Sequence, residues 1–332
     1  MSTLLLSFSV DSASGAAIQR RSREHGHELQ VIVLPEDPDG RLAPEVCATL
    51  DAAFFSSDVN PRHARQFFSA VRKAPRLQWL HAYNVGVDHP IFTEMLERGV
   101  RVTTSAGSTA VPIAHTAICG LLMLARNMPR WLAAQREHRW APMRPPDVPR
   151  DLTGQTVVVF GLGHIGTEVA RLARALGMKV VGVRRSGSKE DDPVDELYPP
   201  ERLPEILPRS DWLVITAPLT PQTRGLFSAE LLRTLPPHAR LVNVARGEIV
   251  EERALVDALR NGRLAGAYLD VFEQEPLPED SPLWNMPNVI VTPHNSSVAS
   301  GNDVRVYDIF LENLDRWQRG DPLVNEVSHK NR

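Results

Sequence analysis

Thr156-Val157-Val158-Val159-Phe160 runs straight into Gly161-Leu162-Gly163-His164-Ile165-Gly166. The first five residues are apolar and largely β-branched, the pattern of a strand buried on both faces of a parallel sheet. The glycines allow a tight turn, let the backbone approach a pyrophosphate, and let the next helix pack closely on the strand. From Glu168 to Leu176 apolar residues recur at helical spacing, so the loop opens a helix whose N-terminus can hold phosphate. Gly-x-Gly-x-x-Gly alone is a weak signal. Here a strand precedes it, a helix follows, and a second strand reads over 179–184. That context marks a dinucleotide site with Gly161, Gly163, His164, Ile165 and Gly166 as its phosphate loop.

The end of the second strand carries further information. A site for NAD usually places Asp or Glu there, against the ribose 2′-hydroxyl. This chain has Arg184-Arg185-Ser186. Two guanidiniums and a hydroxyl suit a 2′-phosphate, because each Arg offers a planar fork of donors. The expected cofactor is therefore NADP, with NAD possible, and Ser188 and Lys189 are further candidate donors.

Outward from this unit the pattern repeats. Runs at 4–10, 29–34, 51–56, 77–82 and 100–104 read as short strands with helical patterns between several of them, which predicts a parallel sheet. An apolar helical run spans 112–126, with Pro129 expected to break it, and Trp140 ends a further helical run. The proline-rich stretch 141–149 is expected to lack regular structure. Strands follow near 156–160, 179–184, 211–216, 239–244, 265–270 and 288–292. The tail from Ser300 to Arg319 is helical in pattern, with Val304, Ile309, Leu314 and Trp317 in phase.

Composition narrows the function classes. The 332 residues suffice for two domains. A hydrophobic fraction of 42% and a charged fraction of 23% describe an ordinary globular protein. With a net charge of −3 and no basic block, nucleic acid is not an expected partner. Cys47 and Cys119 form no disulfide framework and no metal spacing, so no metal is expected. Cys119 lies in an apolar run and reads as a buried, inert thiol. No apolar stretch approaches the roughly 20 residues of a membrane span, and Leu4-Leu5-Leu6 is too short for a signal-peptide core. The expected location is the cytoplasm.

Further motifs carry a family resemblance. Leu241-Val242-Asn243-Val244-Ala245-Arg246-Gly247 resembles the N-x-[AS]-R-G signature of the D-isomer-specific 2-hydroxyacid dehydrogenases. Leu269-Asp270-Val271-Phe272-Glu273-Gln274-Glu275-Pro276, Val291-Thr292-Pro293-His294 and the loop Ala217-Pro218-Leu219-Thr220-Pro221-Gln222-Thr223-Arg224-Gly225 resemble the same family. The likeness runs from about Asn84 to Val327, with four motifs in the family's order.

The resemblance implies interconversion of a 2-oxo acid and a D-2-hydroxy acid. His294 matches the acid/base, and imidazole suits that task because it titrates near neutrality. Glu275 matches its carboxylate partner, which orients the ring and favours the imidazolium. Arg246 matches the substrate-binding arginine, whose fork holds the carboxylate and polarises the carbonyl. Ala217, Pro218, Thr223, Val244, Ala245 and Asp270 match cofactor contacts. Tyr83-Asn84-Val85-Gly86-Val87-Asp88 resembles the G-x-G-V-D substrate loop, with Asn84 in place of the first glycine and with Val85 and Gly86 at the carboxylate-binding amides. Ala114-His115 departs from the usual Ala-Glu, and His115 reads as a packing residue. His81 and His89 read as structural or surface groups. Trp140 falls where relatives build a dimer and offer an aromatic wall to the partner's active site.

The implied fold is α/β with two doubly wound domains. A Rossmann nucleotide-binding domain, 106–295, is inserted into a flavodoxin-like substrate domain, 1–105 and 296–332. The crossings would form a hinge, and domain closure would exclude water from the hydride transfer. Glu275 argues against formate dehydrogenases, which have Gln there, and the chain is expected not to be a long phosphoglycerate dehydrogenase with an added regulatory domain. The expected type is a glyoxylate/hydroxypyruvate reductase using NADPH, as a homodimer built around 112–140. The alternatives are another D-2-hydroxyacid or phosphite dehydrogenase or, in a different class, a non-catalytic nucleotide-sensing scaffold.

Overall fold

The computed structural model describes residues 1–87, 89–145, 147–187 and 190–327. Asp88, Ser188 and Lys189, named above, and Pro146 of the proline-rich stretch lie outside the described residues. The chain divides into two compact units, residues 1–108 with 300–332 and residues 109–299.

The first unit is a five-stranded parallel sheet. Its strands are β1 (Ser2–Leu6), β2 (Leu29–Val33), β3 (Ala52–Phe55), β4 (Trp79–Ala82) and β5 (Arg101–Thr104), in the order β2-β1-β3-β4-β5. The order reverses between β1 and β3, and ligands of such sheets collect beyond the strand ends at that reversal. β1 stops at Leu6 although its apolar run continues to Val10. The Ser7 hydroxyl accepts from Val10 N, and this cap turns the chain into a helical segment. The helix Asn302–Arg319 returns to cover this sheet. Its Phe310 stacks between Phe54, at a centroid distance of 4.2 Å, and Trp79, at 5.7 Å. Val306 and Leu314 are buried beside it with Leu4 and Leu6.

His81 lies inside this unit, with Nδ1 2.7 Å from Thr103 Oγ1 and Nε2 3.1 Å from Ser105 Oγ. Burial lowers its pKa to about 3. The unfolded chain has an ordinary histidine there, so it binds the proton first. The resulting stability is fully present above the ordinary value near 6.5 and is lost as pH falls toward 3. Unfolding by urea at pH 7 and pH 5 checks this. His81→Asn should flatten the pH dependence by one proton, about 1.4 kcal/mol per pH unit.

The second unit holds seven parallel strands: β6 (Thr156–Phe160), β7 (Lys179–Val183), β8 (Glu196–Tyr198), β9 (Trp212–Ile215), β10 (Arg240–Asn243), β11 (Gly266–Leu269) and β12 (Val289–Val291). Their order is β12-β11-β10-β9-β6-β7-β8, with the reversal between β6 and β9. β6 is buried from Val157 to Phe160. The helix His164–Ala175 follows, and a Cβ on Gly166 would sit 1.8 Å from the Gly161 carbonyl oxygen. Only glycine lets this helix start so close to the strand. β8 was not anticipated, because three half-exposed residues give too short a pattern. It is an edge strand, with Tyr198 flanked by the guanidiniums of Arg202 and Arg209.

Several sequence expectations for 110–140 are corrected here. The helix Ala110–Ala125 ends because Asn127 takes a left-handed conformation, φ 53°. Pro129 does not break a helix; it lies in the first turn of the helix Met128–Arg136, where a missing N–H costs nothing. That helix stops four residues before Trp140, which is 94% exposed and so has no packing role in its own unit. Cys119 and His115 are exposed rather than buried. The helix is apolar enough to look buried throughout, but it buries one face only. Among the described residues, no single helix is long and apolar enough to cross a membrane.

Candidate active site

The loops after β10, β11 and β12 carry Arg246, Glu275 and His294. These are neighbouring parallel strands, so all three loops leave the same end of the sheet. Asn243, buried at the end of β10, shapes the first loop. Its amide donates to the Arg246 carbonyl at 3.0 Å and its side-chain oxygen accepts from Ala245 N at 3.1 Å. Gly247 then passes directly against the next loop, and a Cβ there would sit 1.9 Å from the Phe272 carbonyl carbon. The glycine of the Arg-Gly pair thus lets the β10 and β11 loops touch. Arg246 is exposed, with one Nη bonded to the Ala245 carbonyl.

His294 Nδ1 lies 2.7 Å from Glu275 Oε2. The other Glu275 oxygen accepts from Phe272 N at 3.1 Å. The carboxylate is thereby fixed, and it occupies one ring nitrogen. Nε2 is the nitrogen left for a reacting group. His294 adopts φ 51°, a conformation uncommon for a residue with a Cβ.

Asp270 holds that conformation. Its carboxylate is fully buried and accepts from Thr292 Oγ1 at 2.6 Å, Asn295 N at 3.0 Å and Ser296 N at 3.0 Å. Its carbonyl accepts from His294 N at 2.8 Å. Tyr268 completes the chain by donating to Thr292 Oγ1 at 2.8 Å, and burial raises its phenol above the ordinary value. Sequence reasoning singled out Asp270 but missed Asn243, Tyr268 and Thr292. Asn243 and Thr292 stood inside quoted motifs, whereas nothing in the sequence distinguished Tyr268 from a core aromatic.

A cavity of about 520 Å³ opens at the β6/β9 reversal. Gly161, Gly163, Arg185, Ser186, Ala217, Pro218 and Thr223 line it. Thr223 also braces its own loop by donating to the Pro218 carbonyl at 2.8 Å. Pro200, Glu201 and Gln222 line it as well; the first two follow the unforeseen β8 and had no sequence signal. His164, Ile165 and Gly166 open the adjoining helix. Val244, Ala245 and Asp270 do not line this cavity and lie buried toward the Arg246 and His294 loops.

Arg184 lines the same cavity, but its guanidinium is engaged by the protein itself. Its guanidinium is buried, pairs with Asp192 at 2.9 Å, and donates to the carbonyls of Ser186 and Gly187. Donors spent on the protein are not available to a phosphate, so Arg184 acts as a strut between Asp192 and the Ser186 and Gly187 carbonyls. Its neighbour Arg185 is exposed and faces the cavity. Both follow the end of β7, and sequence alone did not show which of the two guanidiniums is buried by the protein.

In the first unit, Val85 and Gly86 follow β4 and are exposed. The Asn84 amide donates to the Gly86 carbonyl, so the residue replacing the family's glycine braces this loop. His89 is likewise structural, capping the helix Pro90–Glu97 by accepting from Ile91 N.

The family model for the NAD binding domain of D-isomer specific 2-hydroxyacid dehydrogenases matches residues 118–296. A glyoxylate reductase of Korarchaeum cryptofilum is 35% identical over 77% of this chain and 78% of its own. A D-3-phosphoglycerate dehydrogenase of Methanocaldococcus jannaschii is 32% identical over 79% of this chain and 49% of its own. Among solved structures, a D-isomer specific 2-hydroxyacid dehydrogenase of Xanthobacter autotrophicus in complex with NADPH and MES is 33% identical. It covers 98% of both chains with a TM-score of 0.73.

Proposed function

Because the chain belongs to the D-isomer specific 2-hydroxyacid dehydrogenase family and is an NAD(P)-dependent oxidoreductase, we propose that it reduces a small 2-oxo acid of the glyoxylate or hydroxypyruvate type to the D-2-hydroxy acid, with NADPH preferred. The observation that carries the chemistry is His294 Nδ1 on Glu275 Oε2 at 2.7 Å, two strands from Arg246. Arg246 grips the substrate carboxylate and polarises the carbonyl. Glu275 holds the ring through Nδ1 and leaves Nε2 toward the substrate. His294 Nε2 then gives its proton to the carbonyl oxygen. The backbone amides of Val85 and Gly86 are the assigned carboxylate donors of the first unit. NADPH, when bound, supplies the hydride. Gly161, Gly163, Ala217, Pro218, Val244 and Ala245 are assigned to the cofactor, with the N-terminus at His164, Ile165 and Gly166 toward its pyrophosphate.

Arg185 and Ser186 are assigned to the 2′-phosphate, and the cavity they line has the room for it. Arg185→Ala should lower kcat/KM with NADPH at least about tenfold, as expected for a charge-assisted pair, while NADH use changes little. Arg184→Ala should instead impair both cofactors, because it removes the buried guanidinium that pairs with Asp192 and holds the Ser186 and Gly187 carbonyls. Equal efficiency of the unmodified enzyme with NADPH and NADH would overturn the preference. Kinetics with glyoxylate, hydroxypyruvate, pyruvate, 3-phosphoglycerate and phosphite name the substrate.

A homodimer is part of this reading. Ile118, Cys119, Leu122 and Met123 line an open apolar recess on the helix Ala110–Ala125, and Trp140 stands free of its own unit. A second copy covering this face would bury both, with Trp140 reaching the partner's active site. Light scattering at micromolar concentration should give twice the chain mass. The reading places the enzyme in the cytoplasm, where both thiols stay reduced.

A further inference from the structure

A second polar cavity lies at the other end of the seven-stranded sheet, where the strands begin. It measures about 310 Å³, and Arg150, Trp212, His238 and Arg240 are among its walls. Trp212 and Arg240 are the first residues of β9 and β10. The Arg240 guanidinium lies over the Trp212 ring, 5.2 Å from its centroid. The ring is itself fixed, since Trp212 Nε1 donates to Gln155 Oε1 at 2.7 Å.

The charges around this cavity do not balance. Asp211 is fully engaged: Oδ1 takes Arg150 and His238, each at 3.0 Å, and Oδ2 takes Thr156 N at 2.8 Å. Asp147 is held by Arg130 at 2.7 Å. Arg240 is half-buried, yet among the described residues it has no ion pair and no side-chain hydrogen bond. Its burial, reinforced by the like charge of Arg150, lowers its pKa from the ordinary value, against the opposing pull of Asp211. A desolvated guanidinium normally has an acceptor for its donors. The Trp212 face compensates the charge in part but accepts none of the fork's in-plane N–H groups.

We propose that this cavity binds a small multi-oxygen anion, a phosphate group or a short dicarboxylate, held between the forks of Arg240 and Arg150 with His238 at the rim. The anion supplies the in-plane acceptors that Arg240 lacks and neutralises the excess positive charge. Occupancy ties the segment 147–150, which lines the same cavity, to the start of the sheet. The site belongs to one unit, lies away from the glycine loop, and does not depend on which 2-oxo acid is reduced.

The test is calorimetric titration of the full-length protein with inorganic phosphate and, separately, with malonate. At least one anion should bind saturably with one high-affinity site per chain outside the cofactor site. Arg240→Met, which keeps much of the side-chain bulk over Trp212, should weaken that binding at least about tenfold, the loss of a charge-assisted contact. Arg150→Met alters a largely exposed side chain, keeps the fold intact and should weaken it as well, while Arg240→Lys restores part of it. Tighter binding of phosphate assigns a phosphate group, and tighter binding of malonate a dicarboxylate. Arg185→Ala separates anions held at the cofactor's phosphate subsite. The proposal fails if neither anion saturates, if binding disappears in Arg185→Ala, or if it is the same in Arg240→Met and Arg150→Met as in the unmodified protein.

Discussion

His294→Ala should lower the turnover of 2-oxo acid reduction by about 10²–10⁴-fold, the range contributed by a positioned general acid. Alanine removes the ring nitrogen proposed to deliver this proton. Glu275 is bonded on one oxygen to Phe272 N and on the other to His294 Nδ1, so the ring presents Nε2 outward. Cofactor affinity should change little, because His294 follows β12 and does not line the cavity at the β6/β9 reversal. The companion variant Glu275→Gln keeps the shape and removes the charge. A carboxylate stabilises the protonated ring and an amide does so much less. The high-pH limb of the rate profile should therefore move to lower pH in Glu275→Gln. A limb at the same pH in both enzymes refutes the assignment of Glu275 as the partner that tunes His294.

Asp270→Ala should be almost as damaging, at least about 10²-fold in turnover, since one to two lost buried interactions of 1–3 kcal/mol already reach that size. The carboxylate is fully buried and accepts from Thr292, Asn295 and Ser296. Its removal strands three donors and releases the loop that keeps His294 at φ 51°. Asp270 is a positioning residue in this respect, and the readout reflects that. Turnover falls while the fold persists by circular dichroism, and the pH limb becomes insensitive to Glu275→Gln because the ring is no longer held against that carboxylate. A variant with normal turnover shows that the three bonds are dispensable.

Much of the architecture was legible in the sequence. The parallel strands read as short, mostly apolar runs, and eleven of them were located to within a few residues. The errors follow from competing local physics. Ser7 caps a helix inside an apolar run that otherwise reads as one strand. β8 is too short and too half-exposed to show a period. The helix Ala110–Ala125 looked buried all round because its outer face is also apolar, yet Cys119 and His115 lie on that face.

Arg246, Glu275 and His294 were named from linked motifs, since each follows a strand that the sequence itself marks. Residue type and spacing thus determined the α/β class and the glycine loop, and singled out His294, Glu275 and Arg246 as candidates. These are local properties, written in hydrophobic period, turn chemistry and side-chain function. Tertiary structure decided what depends on direction and on distant neighbours. Arg184 and Arg185 are equivalent as letters and line one cavity, but the first is buried against Asp192 and the second is exposed. Tyr268, Thr292 and Asp270 form one hydrogen-bonded chain only because β11 and β12 lie side by side. Among the described residues Arg240 lacks an acceptor, because the folded sheet brings Arg150 to its side and leaves Asp211 already engaged. A side chain's partners are set by the packing of segments far apart in the chain, and no local pattern encodes them.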